Sequence, residues 1–311
     1  MKKLLSVLCL IILTTAFLTG CKSGDYDKGV KLQEEGKYEE AVSVFEGIED
    51  YKDYKDTADR IDECNAMIAA IKKYDSSKKS AEQKNANLDK AISDADALVK
   101  KGEKALDDTL FSKLETSISS TKAAKQTIPE MPSTEEEILA TVNKIDAIDY
   151  TKVLEDLSAS QKALEKSIKQ YALVNAPTEA YVIKCLENVD HITGISAVTE
   201  DNDPNGNLNK AGGYTATVYF ADDRVPEDKV EFKGKTIIDK GTDGGGAIEV
   251  YANEEDVKKR NDYLAGFDGG ILASGSHKVI GTVLIRTSDY LTASQQKELE
   301  AAIADALTKV D

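Results

Sequence analysis

Apolar and polar residues follow one another in three different patterns along the chain. Residues 4–18 form a largely apolar run. From about residue 26 to residue 174, apolar positions recur every three or four residues, which is the spacing of one face of an α-helix. Beyond residue 175, glycine becomes frequent and short stretches rich in β-branched residues alternate, as β-strands do. The pattern therefore predicts an all-α region followed by a mixed region.

Residues 66–174 are predicted to be almost wholly helical. Each helix has one apolar stripe, so neighbouring helices must fold back on one another as an antiparallel bundle. Pro129 and Pro132 interrupt the pattern and predict a loop over residues 128–134. We interpret this bundle as a stalk or spacer. The apolar positions that define its helices include Met67, Ile71, Tyr74, Leu88, Ile92, Leu98, Leu114, Ile118, Ile138, Val142, Leu157 and Leu164.

Residues 26–65 carry a motif of small and aromatic residues. Gly29, Leu32, Gly36, Tyr38, Ala41 and Phe45 have the spacing of a tetratricopeptide repeat, which this segment resembles. Small residues are needed where the two helices of such a repeat approach, and larger ones fill the space between them. The resemblance implies a peptide-binding groove. Because the segment holds only about one and a half repeats, we favour a helical hairpin that serves packing alone.

Residues 175–311 predict a small sheet covered by helices, so the fold class of the whole chain is α+β, with an all-α N-terminal part. The last predicted helix is opened by a capping box of Thr292 and Gln295. The stretch from Ala176 onwards resembles a segment of uncharacterised Gram-positive surface lipoproteins, and this resemblance implies no activity. Helices are predicted over 176–186, 254–265 and 292–307, and strands over 192–199, 214–220, 247–251 and 279–286.

The N-terminal apolar run has the layout of a secretory signal peptide. It follows Met1-Lys2-Lys3, precedes Thr19-Gly20, and is shorter than the ~20 apolar residues of a membrane-spanning helix. Leu18-Thr19-Gly20-Cys21 resembles the lipobox of bacterial lipoproteins. The resemblance implies cleavage before Cys21, lipidation of the Cys21 sulfur and attachment to the extracytoplasmic face of the cell membrane. The alternative is an ordinary signal peptide followed by a cysteine.

These patterns divide the chain into four predicted segments. Residues 1–20 are the signal peptide, and residues 21–65 hold a flexible lipid tether at Lys22-Ser23-Gly24 and the repeat-like hairpin. Residues 66–174 form the helical stalk, and residues 175–311 form the α+β domain.

Charge narrows the range of partners. The chain from Cys21 onwards keeps 38 of the 40 basic residues against 56 acidic ones, a formal net charge of −18. Nucleic acid is excluded as a partner because it requires a basic surface. Anionic headgroups repel such a body, so the lipid alone is expected to hold the protein at the membrane. Cys64 and Cys185 are too few for a disulfide framework or a zinc site and are expected to be free thiols.

One polar loop is a candidate calcium site. Asp201, Asp203 and Asn205 place oxygen ligands at alternate positions before Gly206, as in the first half of an EF-hand loop. Glu200 and Asn209 are further possible ligands. The position of the bidentate glutamate holds Gly212 instead, so a polar hairpin turn is the favoured alternative. No cofactor is expected, and calcium is the one possibility left open.

Two glycine-rich loops carry the remaining candidate side chains. One contains Asp243, and the other contains Asp268, Ser276 and His277; Arg286 follows on a predicted strand. If the loops meet, these five side chains would form a ligand site. Serine, histidine and aspartate together also suggest a hydrolase, but Ser276 and His277 are adjacent in sequence and lack a nucleophile elbow.

Two functions remain open. The first, which we favour, is a surface lipoprotein that is not an enzyme: its helical stalk would present the α+β domain to a protein or another envelope component. The alternative is a hydrolase that acts on an envelope or carbohydrate substrate through the Asp and His side chains of the glycine-rich loops. An enzyme needs a concave site that holds at least two convergent titratable groups. Scattered positions of Asp243, Asp268 and His277 would therefore favour binding.

Overall fold

A computed structural model of the protein describes residues 21–270 and 274–310. The predicted signal peptide and the lipobox residues before Cys21 lie outside the described residues. The chain divides into two compact units that interleave in sequence. The first unit holds the described residues up to Leu88 together with Lys125–Tyr150, and the second holds Asp89–Ala124 together with the residues from Thr151 onwards. The limits of these units differ from the boundaries of the four predicted segments. That each predicted segment folds as a separate domain stays a prediction.

The predicted α+β fold class is confirmed: a helical N-terminal part precedes an antiparallel sheet. Among the described residues, no helix combines the length and the apolar character needed to cross a bilayer. The helices of the N-terminal part are α1 (Lys22–Glu34), α2 (Tyr38–Glu46), α3 (Thr57–Lys101), α4 (Thr109–Ala124), α5 (Glu135–Asp146) and α6 (Thr151–Leu173).

The hairpin of α1 and α2 is built around one close approach. A Cβ atom on Gly29 would lie 2.5 Å from the Phe45 ring, so only glycine fits there. Ala41 and Phe45 are fully buried in the same cluster. Lys22-Ser23-Gly24 differ from the predicted tether, because they form the first turn of α1. The carbonyl of Cys21 already accepts hydrogen bonds from the Gly24 and Asp25 N–H groups, which continues the helix back to that residue.

Helix α3 is one continuous element of 45 residues. No glycine or proline interrupts it, and it ends just before Gly102, whose φ is +64°. In the first unit, the hydroxyl of the buried Tyr74 donates to the Pro129 carbonyl at 2.9 Å. This bond ties α3 to the loop that the prolines predict, and that loop precedes α5.

The helices of the second unit include an antiparallel pair, as predicted for the bundle. Ser117 of α4 hydrogen-bonds Ser160 of α6 at 2.8 Å, while Thr121 lies beside Val153. Moving forward along α4 therefore means moving backward along α6.

The sheet of the second unit contains five antiparallel strands in the order β1-β2-β3-β5-β4. One face packs its apolar residues, including Val218, Ile248 and Ile285, against two of the helices. The strands are β1 (Ile192–Ala197), β2 (Tyr214–Asp222), β3 (Gly245–Tyr251), β4 (His277–Ile280) and β5 (Val283–Thr287). The helices are α7 (Glu179–Leu186), the short α8 (Ile237–Lys240), α9 (Glu254–Ala265) and α10 (Ala293–Leu307), of which α7 and α10 cover the apolar face.

The single strand predicted over residues 279–286 is wrong, because the chain reverses within it. Gly281 adopts φ +56°, a conformation that favours glycine, and Ile280 pairs with Val283 across the two-residue turn. The Thr282 N–H donates to the Val174 carbonyl at 3.0 Å, and the Thr282 hydroxyl accepts from the Ala176 N–H at 2.6 Å. The turn thus fixes the segment that leaves α6 against the sheet.

The other face of the sheet is partly polar. Successive side chains of a strand point to opposite faces of the sheet, so the side chain of Glu249 lies on the face away from Ile248 and Val250. Glu249 is 1% exposed and accepts hydrogen bonds from Arg286 of β5 at 2.9 Å and Arg260 of α9 at 3.1 Å. We call Glu249, Arg260, Arg286 and Tyr251, whose hydroxyl also donates to Glu249, the buried charge cluster.

Candidate functional site

The candidate calcium loop is organised by one carboxylate. Asp203 accepts hydrogen bonds from the backbone N–H groups of Asn205 at 3.0 Å, Asn207 at 2.6 Å and Leu208 at 2.8 Å. It also accepts from the Tyr214 hydroxyl. Both carboxylate oxygens are therefore engaged by groups of the protein, as in a self-supporting polar turn.

The other predicted calcium ligands have partners of their own. The Asn209 amide donates to Glu200 at 2.8 Å, and the Asn205 amide donates to the Tyr219 hydroxyl at 3.2 Å. Asp201 is exposed. Within residues 21–270 and 274–310, no three His, Cys, Asp or Glu side chains are grouped to hold a metal ion. The geometry favours the polar turn over the calcium site.

The environment of Asp203 favours its charged form. Burial, the largest influence, raises the pKa of this carboxyl, but the hydrogen bonds from Tyr214 and three backbone N–H groups together outweigh burial and lower the pKa below its ordinary value. Burial and the adjacent Asp203 raise the pKa of Tyr214. The loop is therefore stabilised by an ionised Asp203 at neutral pH.

A shallow cleft of about 330 Å³ lies where the residues after α9 meet β4. Its described lining holds two carboxylates, and no lysine or arginine is among those lining residues. We call it the His277 cleft. Its described lining residues are Asp268, Gly269, Gly275, Ser276, His277, Asp289 and Gln296.

His277 is held from both sides of its ring. Its Nδ1 atom lies 2.8 Å from Oδ1 of Asn261, and its Nε2 atom lies 3.3 Å from Asp268. The side chain of His277 is only 10% exposed, whereas that of Asp268 is 55% exposed. The histidine is consequently oriented by an amide and a carboxylate, with the carboxylate at the solvent edge.

Ser276 points to a different partner. Its hydroxyl donates to the carboxylate of Glu300 in α10, a residue that sequence reasoning did not single out. The described contacts therefore include an aspartate–histidine pair and a serine–glutamate pair, but no hydrogen bond between Ser276 and His277. A serine nucleophile activated by a histidine would require that bond.

The two glycine-rich loops approach the same backbone segment. Ser288 donates from its hydroxyl to the Asp243 carbonyl at 2.7 Å, and a Cβ on Gly275 would lie 1.9 Å from the Thr287 carbonyl oxygen. The side chains nevertheless separate: the Asp243 carboxylate forms a close ion pair with Lys233. Asp268, Ser276 and His277 line the His277 cleft, whereas Asp243 and Arg286 are not among its described lining residues. The guanidinium of Arg286 donates to Glu249 at 2.9 Å and to Ser274 of the second glycine-rich loop at 3.0 Å. A ligand site formed by all five side chains stays a prediction.

Sequence reasoning missed the buried charge cluster. The signal was present in Glu249, a charged residue between Ile248 and Val250 of a predicted strand. Burial, the largest influence, raises the pKa of Glu249, but Arg286 and Arg260 together outweigh burial and lower it. All acceptor positions of the carboxylate face donors within the protein, so the cluster supports the fold behind the cleft.

The first unit contains a separate concavity of about 380 Å³. It lies beside the turn from α1 to α2 and along α3. The peptide-binding groove that the repeat resemblance implies would occupy this place and stays a prediction. The lining residues are Gly36, Lys37, Tyr38, Glu39, Glu40, Ile68, Ile71, Lys72 and Asp75.

The cysteines differ in accessibility. Cys21 is exposed, Cys64 is buried and Cys185 is half-buried, and all three are free thiols. Burial raises the pKa of the Cys64 and Cys185 thiols, which suits structural rather than reactive positions. Of the three cysteines that the structure describes, Cys21 is the one at an exposed position.

The chain was also compared with known proteins, and no protein-family model, no curated protein and no solved structure matches it.

Proposed function

We propose that this protein is a lipid-anchored binding protein of the extracytoplasmic face, and that the His277 cleft holds part of its partner, a protein or another envelope component. The single observation that carries the proposal is the pairing of the cleft residues. His277 lies between Asn261 and Asp268, and Ser276 lies against Glu300. Asp268 and His277 do meet in the cleft, as the hydrolase alternative requires, but Ser276 bonds Glu300 and not His277. The cleft therefore offers polar groups for recognition of a ligand without a serine nucleophile that the histidine activates.

The charge of the cleft favours a cationic or neutral partner. Asp268 and Asp289 are exposed at its rim, and the described lining supplies no lysine or arginine to attract an anion. Asp289 forms no hydrogen bond or close ion pair within the described part of the chain, although Lys233 lies near enough to interact with it electrostatically. Asp289 is therefore available to a ligand.

The proposed location rests on Cys21. The lipobox-like sequence precedes this residue, and its sulfur lies at an exposed position at the start of α1. A lipid on Cys21 would hold the protein at the membrane. The protein surface itself, with a net charge of −18, is not attracted to anionic headgroups.

A pull-down from envelope extract tests the binding role. The bait is the chain from Cys21 onwards, as parent, as Asp289→Lys and as Asp190→Lys. Asp190 is an equally exposed aspartate just before β1, at the opposite edge of the sheet from β4, so it controls for the charge change. Capture that is lost with Asp289→Lys and kept with Asp190→Lys supports the cleft; equal capture by all three refutes it.

The hydrolase alternative is tested on the same samples. The captured component and total envelope polysaccharide are incubated with the parent and with His277→Ala. Release of fragments by the parent and not by the variant would overturn the binding proposal in favour of catalysis.

A further inference from the structure

We infer that the end of the first unit that carries Cys21 is a surface that lies directly against lipid headgroups, with α3 leading away from the membrane. The inference rests on the lipid anchor of the proposed function and adds an orientation to it. We call Cys21, Lys22, Glu49 and Asp50 the anchor end.

No flexible spacer separates the anchor from the fold. Cys21 is the residue that caps α1, and its carbonyl accepts from the N–H groups of Gly24 at 2.7 Å and Asp25 at 3.2 Å. The helix begins at Lys22, immediately after the lipid-bearing residue. A lipid on Cys21 is therefore joined to the hairpin through the bonds of one side chain only.

A second segment shares this end. The ammonium of Lys22 lies 3.4 Å from Asp50 and 3.5 Å from Glu49, in the connection between α2 and α3. Both acidic side chains are largely exposed, at 82% for Glu49 and 76% for Asp50. The α2–α3 connection must consequently approach the headgroups together with Cys21.

The direction of α3 follows from its contacts with α1. Arg60 donates to the Tyr26 hydroxyl at 3.0 Å, and the Gln33 amide, further along α1, donates to Glu63, further along α3, at 2.9 Å. The two helices therefore run in the same direction, away from the anchor end. With a rise of 1.5 Å per residue, Glu82 lies roughly 37 Å beyond Thr57 along the α3 axis.

Charge favours an upright position over a flat one. Lys22, the basic residue next to the anchor, already forms ion pairs with two carboxylates. The residues of the first unit from Cys21 onwards include 14 basic and 22 acidic ones, and this formal net charge of −8 opposes broad contact of the unit with an anionic bilayer. At the anchor end, the lipid holds Glu49 and Asp50 near the headgroups against the same repulsion. The unit should touch the membrane at the anchor end alone.

Fluorescence quenching tests the inference on the full lipidated protein, purified from bacterial membranes and reconstituted in vesicles that carry a nitroxide on the lipid headgroup. A polar dye is attached at Glu49→Cys or at Glu82→Cys, both exposed positions, in a Cys185→Ser background. Cys64 is 0% exposed and stays unlabelled. The dye at position 49 should lose most of its fluorescence, and the dye at position 82 should lose little.

A spacer variant is the matched control. Twelve Gly and Ser residues inserted between Cys21 and Lys22 add a flexible link of about 20 Å, so quenching at position 49 should fall markedly. Equal quenching at positions 49 and 82 would mean that the unit lies flat on the membrane. If quenching at position 49 is weak and the spacer does not change it, the anchor end stands away from the membrane. Either result on lipidated protein overturns this inference alone, whereas a chain that carries no lipid overturns the anchor as well.

Discussion

Replacing Glu249 by alanine would leave two guanidinium groups without their counter-charge inside the second unit. Glu249 is 1% exposed, and its two oxygens face Arg286 at 2.9 Å, Arg260 at 3.1 Å and the Tyr251 hydroxyl at 2.7 Å. The side chain of Arg286 is only 8% exposed, whereas that of Arg260, at 17%, lies nearer the surface.

The expected cost follows from this burial. Removing one partner of a buried ion pair destabilises a protein by about 3–5 kcal/mol, because the remaining charge stays desolvated. Arg260 can turn towards solvent, which places the estimate at the lower end of that range. A loss of about 3 kcal/mol corresponds to a fall of roughly 6–12 °C in Tm for a domain of about 150–250 residues.

Thermal unfolding followed by circular dichroism measures this effect, on the chain from Cys21 onwards with Cys21→Ser to keep it free of lipid. Glu255→Ala is the control: Glu255 pairs with Lys259 at 2.8 Å, but both side chains are more than half exposed, so its loss should barely change Tm. Joint replacement of Glu249, Arg260 and Arg286 by apolar residues should recover much of the loss. A Tm for Glu249→Ala within a degree or two of that for Glu255→Ala would refute the reasoning.

Three further predictions concern the anchor, the polar loop and the β4–β5 turn. Cys21→Ser should release the protein from the membrane fraction or leave it uncleaved, and unchanged membrane partitioning would rule out the anchor. Asp203→Asn should lower Tm at neutral pH; since the pKa of Asp203 is lowered, its stabilisation is present above the ordinary value of 3.8 and is lost as pH falls through the lowered pKa, so parent and variant should converge in acid. Calcium and chelator should give one melting curve, and a calcium-dependent rise would restore the metal interpretation. Thr282→Val removes the acceptor for the Ala176 N–H and should reduce the free energy of unfolding in urea by about 1–3 kcal/mol, whereas a negligible loss would show that the Val174 carbonyl contact suffices.

Local signals predicted the ends of some elements well. Helix α9 was expected over 254–265 and is found there, because Asn253 caps its first turn and Gly266 follows its last residue. The capping box of Thr292 and Gln295 likewise starts α10. Such signals depend on neighbours within a few residues, so the sequence displays them directly.

Features that depend on distant residues were not predictable in the same way. The reversal at Gly281 is encoded by one glycine inside an apolar run, and its partner, the Val174 carbonyl, lies more than a hundred residues earlier. Glu249 finds Arg260 in α9 and Arg286 in β5 only after the sheet has formed. Similarly, Ser276 turns to Glu300 rather than to the adjacent His277 because α10 packs behind the loop. Pattern reasoning identified the polar residues but could not assign their partners.

The interleaved division of the chain constrains the order in which the protein folds. A ribosome delivers the chain from its N-terminus, and domains generally fold as units when their residues become available. The first unit needs Lys125–Tyr150, which emerge only after Asp89–Ala124, and those intervening residues belong to the second unit. The part of α3 that carries Tyr74 and Asn85 therefore lacks its partners Pro129, Gln126 and Tyr150 until residue 150 has been delivered. A pause in synthesis or export before that point would expose apolar surface to chaperones and proteases.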